Sequence, residues 1–109
     1  MTFNEYDYKA GKTAIYPRRG NNLQYPALKL CSEAGEVAGK VGKMDRDDGG
    51  VLTEERRQQL IDEVGDVLWY LSALAFELDT ALEIIAARNI VKLTDRAARN
   101  VIGGDGDQR

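Results

Sequence analysis

The sequence predicts an all-α protein built as a bundle of four helices. Apolar residues recur at helical spacing through most of the 109 residues, and no segment shows the alternation of a half-buried strand. The breaks between the periodic segments are rich in glycine, proline, asparagine and aspartate. Because the length suits one compact unit, we expect a single domain over residues 1–109.

The first two predicted helices flank a loop. Aromatic and apolar residues at helical spacing predict a helix over about residues 2–14. Proline, glycine and two asparagines at residues 16–22 predict the loop. Pro26 suits the first turn of the second helix, which we expect to run to about Lys43.

A polar loop at residues 45–50 separates the second predicted helix from the third. Thr53 is suited to be the N-cap of the third helix, which runs to about Leu78. The Thr-x-x-Glu pattern at residues 80–83 fits a capping box and predicts the start of a fourth helix that ends near Ala98.

The second half of the third helix, residues 67–76, is apolar almost all round. Such a helix must be buried on several sides, and four helices of this length can hardly cover it. We therefore expect a homo-oligomer, a dimer or a tetramer, with this helix in the interface.

The composition excludes several kinds of function. The chain has no histidine, which excludes Ser-His-Asp and Cys-His catalysis and most zinc sites. One cysteine cannot form an intrachain disulfide, so a reducing cytoplasm is the expected setting. A net charge of −3 and the lack of a long apolar run favour neither nucleic acid nor membrane as a partner.

A pentapeptide of acid, small or apolar residue, glycine, acid and valine occurs twice, at residues 33–37 and 63–67. Acids three residues apart lie on one face of a helix, so each copy projects two carboxylates. If the two helices pack antiparallel as neighbours, four carboxylates can meet. These are Glu33, Glu36, Glu63 and Asp66.

A solvated helix face is the simple interpretation of one such pair, but the repeat favours a metal site. A glycine inside a helix costs about 1 kcal/mol relative to alanine, so Gly35 and Gly65 suggest that the two helices approach closely there. Two like charges about 4 Å apart repel by about 4 kcal/mol at an effective dielectric of about 20, so four acids need cations or protons, and one divalent cation is the economical solution. Oxygen ligands favour magnesium, manganese or calcium.

Magnesium held by carboxylates keeps several waters and commonly shares its ligands with substrate phosphates. Such a site implies a phosphate ester or anhydride as the substrate. The metal can activate a water and stabilise the charge on the leaving group.

The residues around both copies resemble a known family. Residues 30–37, Leu-Cys-Ser-Glu-Ala-Gly-Glu-Val, and residues 61–70, Ile-Asp-Glu-Val-Gly-Asp-Val-Leu-Trp-Tyr, are similar to the MazG-like all-α nucleoside triphosphate pyrophosphohydrolases. The signature of that family is E-E-x-x-E followed by E-x-x-D, and the resemblance extends from about Tyr16 to the C-terminal tail. Ser32 stands where the family has its first glutamate.

The resemblance implies a MazG-type fold and the Mg²⁺-dependent hydrolysis of a nucleoside triphosphate, usually a deoxynucleotide, to the monophosphate and pyrophosphate. Mn²⁺ is expected to substitute for Mg²⁺. Water attacks the α-phosphorus, and Glu36 or Glu33 helps to orient or deprotonate it. The role would be control or sanitation of the nucleotide pool. The match assigns as catalytic residues and metal ligands Glu33, Glu36, Glu63 and Asp66.

The fourth helix carries candidate nucleotide contacts. Asn89, Lys92 and Arg96 share one face, and the family often has an asparagine and a lysine here that contact the nucleotide. A solvated basic face is the alternative for the two cations. Tyr70 follows Asp66 by one turn and either stacks on the base or ribose or packs in the core.

Two more candidates lie outside the fourth helix. Lys40 either supports phosphate binding or forms a surface pair with Glu36. Asn22 belongs to the loop before the second helix, which we expect to close over the nucleotide.

The alternative to an enzyme is a non-catalytic helical module for oligomerisation or metal binding, whose acids are structural or bind calcium. The enzyme is the leading hypothesis because the four acids occur together with Lys92 and Arg96, a combination that an interaction module does not need. A metal-dependent nuclease is disfavoured by the negative net charge.

Overall fold

A computed structural model describes residues 1–107. Within this range the chain forms α-helices and no β-strand, which confirms the all-α prediction. None of the helices in the described range combines the length and the apolar character needed to cross a membrane. The helices are α1 (Phe3–Gly11), α2 (Gln24–Asp47), α3 (Glu54–Glu77) and α4 (Leu82–Ala98).

The first helix is shorter than predicted. It ends at Gly11, and residues 12–13 form a turn. Both the backbone N–H and the hydroxyl of Thr13 donate to the carbonyl oxygen of Ala10, at 2.9 and 2.7 Å. These bonds satisfy a carbonyl at the helix end, where intrahelical donors are lacking.

The second helix is longer than predicted. It continues through the first part of the expected loop at residues 45–50 and ends at Asp47. Gly49 and Gly50 then adopt left-handed backbone conformations, with φ of 63° and 76°. Glycine adopts these angles without a steric cost, so the two glycines rather than the preceding charged residues end the helix.

α2 and α3 lie antiparallel along each other. Asp48, just after α2, pairs with Arg56 near the start of α3, at 3.0 Å between Oδ2 and Nε. Further along, Lys40 pairs with Glu63 at 3.8 Å between Nζ and Oε1. This arrangement confirms the expected pairing of the two helices and brings the two pentapeptides side by side.

The expected close approach at the pentapeptide glycines is wrong. A Cβ added at Gly35 or Gly65 meets no atom of residues 1–107 within 4 Å beyond the local helix backbone. Both residues are exposed. The contacts within the described chain therefore do not explain why glycine stands at these two positions.

The N-terminus of α4 is capped by a side chain from another helix. Ala81 is the N-cap residue and makes no side-chain bond, so the predicted capping box at residues 80–83 is wrong. Asp7 on α1 accepts instead from the backbone N–H of Leu82 at 3.1 Å and from the hydroxyl of Ser72 at 2.6 Å. Its carboxylate complements the positive end of α4 and connects α1, α3 and α4.

The chain leaves many apolar side chains exposed. Within the described residues α4 packs on α1 and α3 but not on α2. The radius of gyration is 16.8 Å, whereas a compact domain of this size has about 13 Å. Apolar side chains on α3 and α4 therefore remain uncovered in the isolated chain. They include Ile61, Val64, Leu71, Phe76, Ile84, Ile90 and Val91.

We expect Thr53→Ala to lower the free energy of unfolding by about 1 kcal/mol. Thr53 Oγ1 accepts from the backbone N–H of Arg56 at 3.1 Å, which confirms the predicted N-cap of α3. Urea denaturation at one fixed protein concentration measures the change. Thr94→Ala, at an exposed position inside α4, is the control and should not destabilise, because alanine is the better helix former. Equal losses in both variants would contradict the capping role.

Candidate active site

Three acids from α2 and α3 come together. Glu33, Glu63 and Asp66 each offer one carboxylate oxygen, and these oxygens lie within 4.8 Å of one another. The two glutamates are half-buried and Asp66 is exposed. Three carboxylates at this spacing repel one another, and they form an oxygen donor set that suits one Mg²⁺ or Mn²⁺. We refer to these residues as the three-acid group.

Glu36 does not belong to this group among the described residues. It lies one turn after Glu33 on α2 and its side chain is exposed. Residues three apart on a helix differ by about 60° in direction, so Glu33 can face α3 while Glu36 points past it. The structure thus brings together three of the four predicted ligands, and the assignment of Glu36 stays a prediction.

Lys40 lies at the edge of the three-acid group. Its Nζ is 3.8 Å from Glu63 Oε1, and the two side chains are 23% and 18% exposed. The pair is therefore half-buried and links two helices, whereas the surface alternative placed Lys40 beside Glu36 on the same helix. A lysine here partly neutralises the acids and stands within reach of an anion bound beside them.

A cleft of about 360 Å³ opens next to the acids. Asp66 and Tyr70 share one side of α3, as their spacing predicted, and both line the cleft. Trp69 also lines it, because its Nε1 turns toward Thr13 and donates to Oγ1 at 2.8 Å. This acid cleft is lined by Thr13, Glu33, Asp66, Trp69 and Tyr70.

Three tyrosine rings lead from the loop before α2 to the acids. Tyr16 stacks on Tyr25 with 4.8 Å between ring centroids, and Tyr25 lies 6.2 Å from Tyr70. Burial, the hydrogen bond with Tyr25 and the nearby charges of Glu33 and Asp66 raise the pKa of Tyr70 to about 12. Tyr70 is therefore protonated at neutral pH and keeps a hydroxyl that can donate.

Glu77 at the end of α3 fixes the position of that loop. Its carboxylate accepts from the hydroxyl of Tyr16 at 2.9 Å and from the backbone N–H groups of Gly20 and Asn22, at 2.7 and 2.5 Å. Burial raises the pKa of Glu77, but these hydrogen bonds and the charge of Arg19 outweigh it, so the pKa lies below its ordinary value. Glu77 is therefore a charged anchor of the loop.

Asn22 has a structural role that the sequence interpretation missed. It is only 5% exposed. Its Oδ1 accepts from the backbone N–H of Tyr25 at 3.1 Å, and its Nδ2 donates to the carbonyl of Pro17 at 2.8 Å. The first bond joins residues three apart, as the bond of a helix N-cap does. An asparagine just before a predicted helix could therefore have indicated this structural role from the sequence. The role of Asn22 as a nucleotide contact stays a prediction.

The candidate residues of α4 do not reach the three-acid group within the described chain. Lys92 Nζ lies 3.1 Å from Asp107 Oδ1, and Arg96 Nη2 donates to the carbonyl of Asp107 at 2.7 Å. Arg96 is 3% exposed, so a solvated basic face is wrong for this residue. Asn89 and Lys92 line a separate cleft on α4.

Comparisons with known proteins identify the domain. Residues 23–100 match the MazG nucleotide pyrophosphohydrolase domain. The gene 37 protein of Mycobacterium phage L5 is 46% identical over 114 aligned residues, which cover 100% of both chains. The uncharacterized protein YvdC of Bacillus subtilis (strain 168) is 31% identical over 90 residues, which cover 75% of this chain and 85% of the relative. No solved structure matches the chain significantly.

The matched range contains α2, α3 and α4 and therefore all members of the three-acid group. It confirms the resemblance that the two pentapeptides indicated, and a domain of this kind suggests nucleotide pyrophosphohydrolase activity. The chain belongs to the MazG nucleotide pyrophosphohydrolase family.

Proposed function

We propose that the chain is a Mg²⁺-dependent enzyme that hydrolyses a nucleoside triphosphate, preferably a deoxynucleotide, to the monophosphate and pyrophosphate. The observation that carries the proposal is the three-acid group at the acid cleft, within a MazG domain. We further propose one such domain over residues 1–109 and a role in nucleotide-pool control or sanitation in the cytoplasm.

The metal would be held by the three-acid group, with Glu36 as the fourth predicted ligand. Mg²⁺ or Mn²⁺, when bound, supplies positive charge for the phosphate oxygens and lowers the pKa of a bound water. The repulsion among the three carboxylates supports this assignment, because a bound cation would offset the electrostatic free energy that the repulsion costs the protein.

The reaction forms a bond between a water oxygen and the α-phosphorus and breaks the bond from that phosphorus to the pyrophosphate oxygen. Glu33 or Glu36 orients the water and accepts its proton. The hydroxyl of Tyr70, protonated at neutral pH, can donate to a sugar or phosphate oxygen, or its ring can contact the base. Lys40 stands at the edge of the acids and can pair with a phosphate.

We also propose that the chain forms a homodimer or homotetramer, and that oligomerisation completes the nucleotide site. The exposed apolar side chains of α3 and α4 support an interface there. Asn89, Lys92 and Arg96 lie on a helix that does not contact α2 within the described chain. A second copy can bring its α4 to the acid cleft, where Asn89 and Lys92, which line a cleft on that helix, would contact the nucleotide. Arg96 would join them only after it leaves its contact with Asp107.

A turnover assay tests the proposed function. Purified protein is incubated with Mg²⁺ and each of the common dNTPs and NTPs, and pyrophosphate release is followed. We expect release from at least one dNTP, loss of release with EDTA, and recovery with Mg²⁺ or Mn²⁺. If no nucleotide in the panel releases pyrophosphate while circular dichroism shows a folded helical protein, the proposal is wrong.

A non-catalytic oligomerisation or metal-binding module is the second candidate, because exposed apolar faces serve it equally well. A thermal shift experiment separates the two. Mg²⁺ with a non-hydrolysable triphosphate is compared with Mg²⁺ alone. An additional rise in melting temperature with the nucleotide supports the enzyme, since only a ligand that binds the folded state stabilises it.

A further inference from the structure

We propose that a second cavity, adjacent to the acid cleft, binds the nucleobase of the substrate and that Asp7 selects bases that carry an exocyclic amino group. The inference rests on the proposed function for the identity of the substrate. The cavity measures about 200 Å³ and lies between α1, α3 and the segment that follows α1. This volume lies below the roughly 300–1,000 Å³ of pockets that hold a whole small-molecule ligand, so it suits one flat ring system and not a complete nucleotide.

The cavity lies next to the acid cleft along α3. Trp69 lines both spaces. Ser72 and Phe76, which also line the cavity, follow Asp66 by six and ten residues. At about 1.5 Å per residue the cavity lies about 9–15 Å from the acids along the helix. A nucleotide spans a distance near the lower end of this range from its α-phosphorus to the far edge of its base.

The walls of the cavity suit a planar aromatic ligand. Trp69 and Phe76 supply aromatic surface, and Ala10 and Ala73 leave room between the helices. The guanidinium carbon of Arg19 lies 3.8 Å from the centroid of the Phe76 ring, so a flat cation lies against one face of that ring at the cavity wall. Aromatic rings and guanidinium planes are the surfaces on which proteins stack unpaired bases.

Asp7 and Asn4 offer the ligand hydrogen-bond acceptors, while the cation at the cavity, Arg19, lies against the Phe76 ring and hydrogen-bonds with Tyr16. Asp7 accepts bonds from Ser72 and Leu82, which use two of its roughly four lone-pair positions. The remaining positions can only accept. Asn4 donates to Glu83 at 2.7 Å through Nδ2, so Oδ1 is a further acceptor.

A base with an amino group presents N–H donors to such a site, as cytosine does to aspartate and glutamate in DNA recognition. Thymine and uracil present one N–H between two carbonyl oxygens, and a carboxylate repels those oxygens. Asp7 therefore favours cytosine, adenine or guanine over thymine or uracil.

A binding experiment tests the cavity without relying on turnover. Trp69 is the only tryptophan of the chain, so its fluorescence reports occupancy of the cavity. Wild-type protein is titrated with the monophosphates of deoxycytidine, deoxyadenosine, deoxyguanosine, thymidine and deoxyuridine. We expect at least one nucleotide with an amino group on its base to bind at least about tenfold more tightly than the monophosphates of thymidine and deoxyuridine. Equal binding of all five, tighter binding of thymidine or deoxyuridine, or no change in fluorescence with any of them overturns the inference.

Cavity variants test the location. Ala73→Leu fills the cavity, and we expect it to weaken binding of the preferred monophosphate at least about tenfold. Ala38→Leu, at an exposed position of α2 outside the cavity lining, is the matched control and should leave binding unchanged. Unchanged binding in Ala73→Leu, with wild-type helicity, overturns the location.

Two variants test the specificity. Asp7→Asn presents an amide donor and should shift preference toward thymidine and deoxyuridine monophosphates. Because Asp7 also caps α4, its substitution can destabilise that helix, so Asn4→Ala serves as the second variant. Asn4→Ala should weaken binding of the preferred nucleotide without loss of helicity. If neither variant changes the ratio of the affinity for amino-bearing nucleotides to the affinity for thymidine and deoxyuridine monophosphates, the proposed selection by amino groups is wrong.

A base-free substrate separates this inference from the proposed function. If wild-type protein hydrolyses methyl triphosphate, Ala73→Leu should leave that reaction intact while it raises KM for deoxynucleotides. Equal losses on both substrates overturn the base assignment. If wild-type protein hydrolyses no triphosphate but passes the binding test, the proposed function fails and the cavity assignment stands.

Discussion

Asp66→Asn is expected to lower the rate of pyrophosphate release about 1,000-fold. The substitution keeps the size of the side chain but removes one of three carboxylate charges that are within 4.8 Å of one another. A metal ion contributes several kcal/mol to transition-state stabilisation, and about 4 kcal/mol corresponds to this factor. Pyrophosphate release and Mg²⁺ affinity are measured on the same protein sample.

Asp62→Asn is the matched control for this variant. Asp62 is exposed and lies outside the three-acid group, so its loss should leave turnover near wild type. Glu36→Gln tests the fourth predicted ligand and should also abolish turnover if that assignment is right. Unchanged turnover in Asp66→Asn would refute the metal assignment.

Stability provides a second measurement on Asp66→Asn. In EDTA the variant should melt at or above the wild-type temperature, because neutralising one of three adjacent like charges relieves repulsion. A loss of activity together with a large drop in melting temperature would instead indicate that the variant is misfolded.

Glu77→Ala is expected to lower the free energy of unfolding by about 3 kcal/mol. Three donors lose a charged acceptor, and one of them belongs to Asn22, which is 5% exposed. A buried donor left without a partner costs about 1–3 kcal/mol. Chemical denaturation at fixed protein concentration measures the change. Glu36→Ala, at an exposed position of α2, is the control and should stay within about 0.5 kcal/mol of wild type.

The same residue predicts how stability depends on pH. The pKa of Glu77 in the folded protein lies below its ordinary value of 4.5. Its contribution is therefore fully present above about pH 4.5 and is lost as the pH falls through the folded pKa. We expect Glu77→Gln to lose less stability than wild type between neutral pH and pH values below 4.5. Parallel pH profiles for the two proteins would contradict a charged Glu77.

The parts of the fold that depend on nearby residues could be predicted from the sequence. Helical periodicity identified the four helices, and the N-cap at Thr53 follows from a bond to a residue three positions away. The cap of α4 could not be predicted in this way. It comes from Asp7, which lies 75 residues from Leu82 in the chain, so no local pattern indicates it.

In the candidate site, too, features set by nearby residues could be predicted and features set by distant contacts could not. The spacing of the acids within each pentapeptide and the antiparallel pairing of α2 with α3 were enough to predict that Glu33 lies beside the acids of α3. The cost of glycine in a helix does not reveal which face touches a neighbour, so the interpretation of Gly35 and Gly65 was wrong. The orientation of Trp69 toward Thr13 depends on where residues 12–13 turn after α1, which the sequence pattern placed too late.

Hydrolysis in ¹⁸O-labelled water tests the central claim most directly, namely that water attacks the α-phosphorus at the three-acid group. Products of a single turnover are separated and analysed by mass spectrometry, with wild type and Asp66→Asn in parallel. Label should appear in the nucleoside monophosphate and not in the pyrophosphate, and the variant should form both products about 1,000-fold more slowly. Label in pyrophosphate or in orthophosphate, or undiminished label in the variant, would contradict the mechanism.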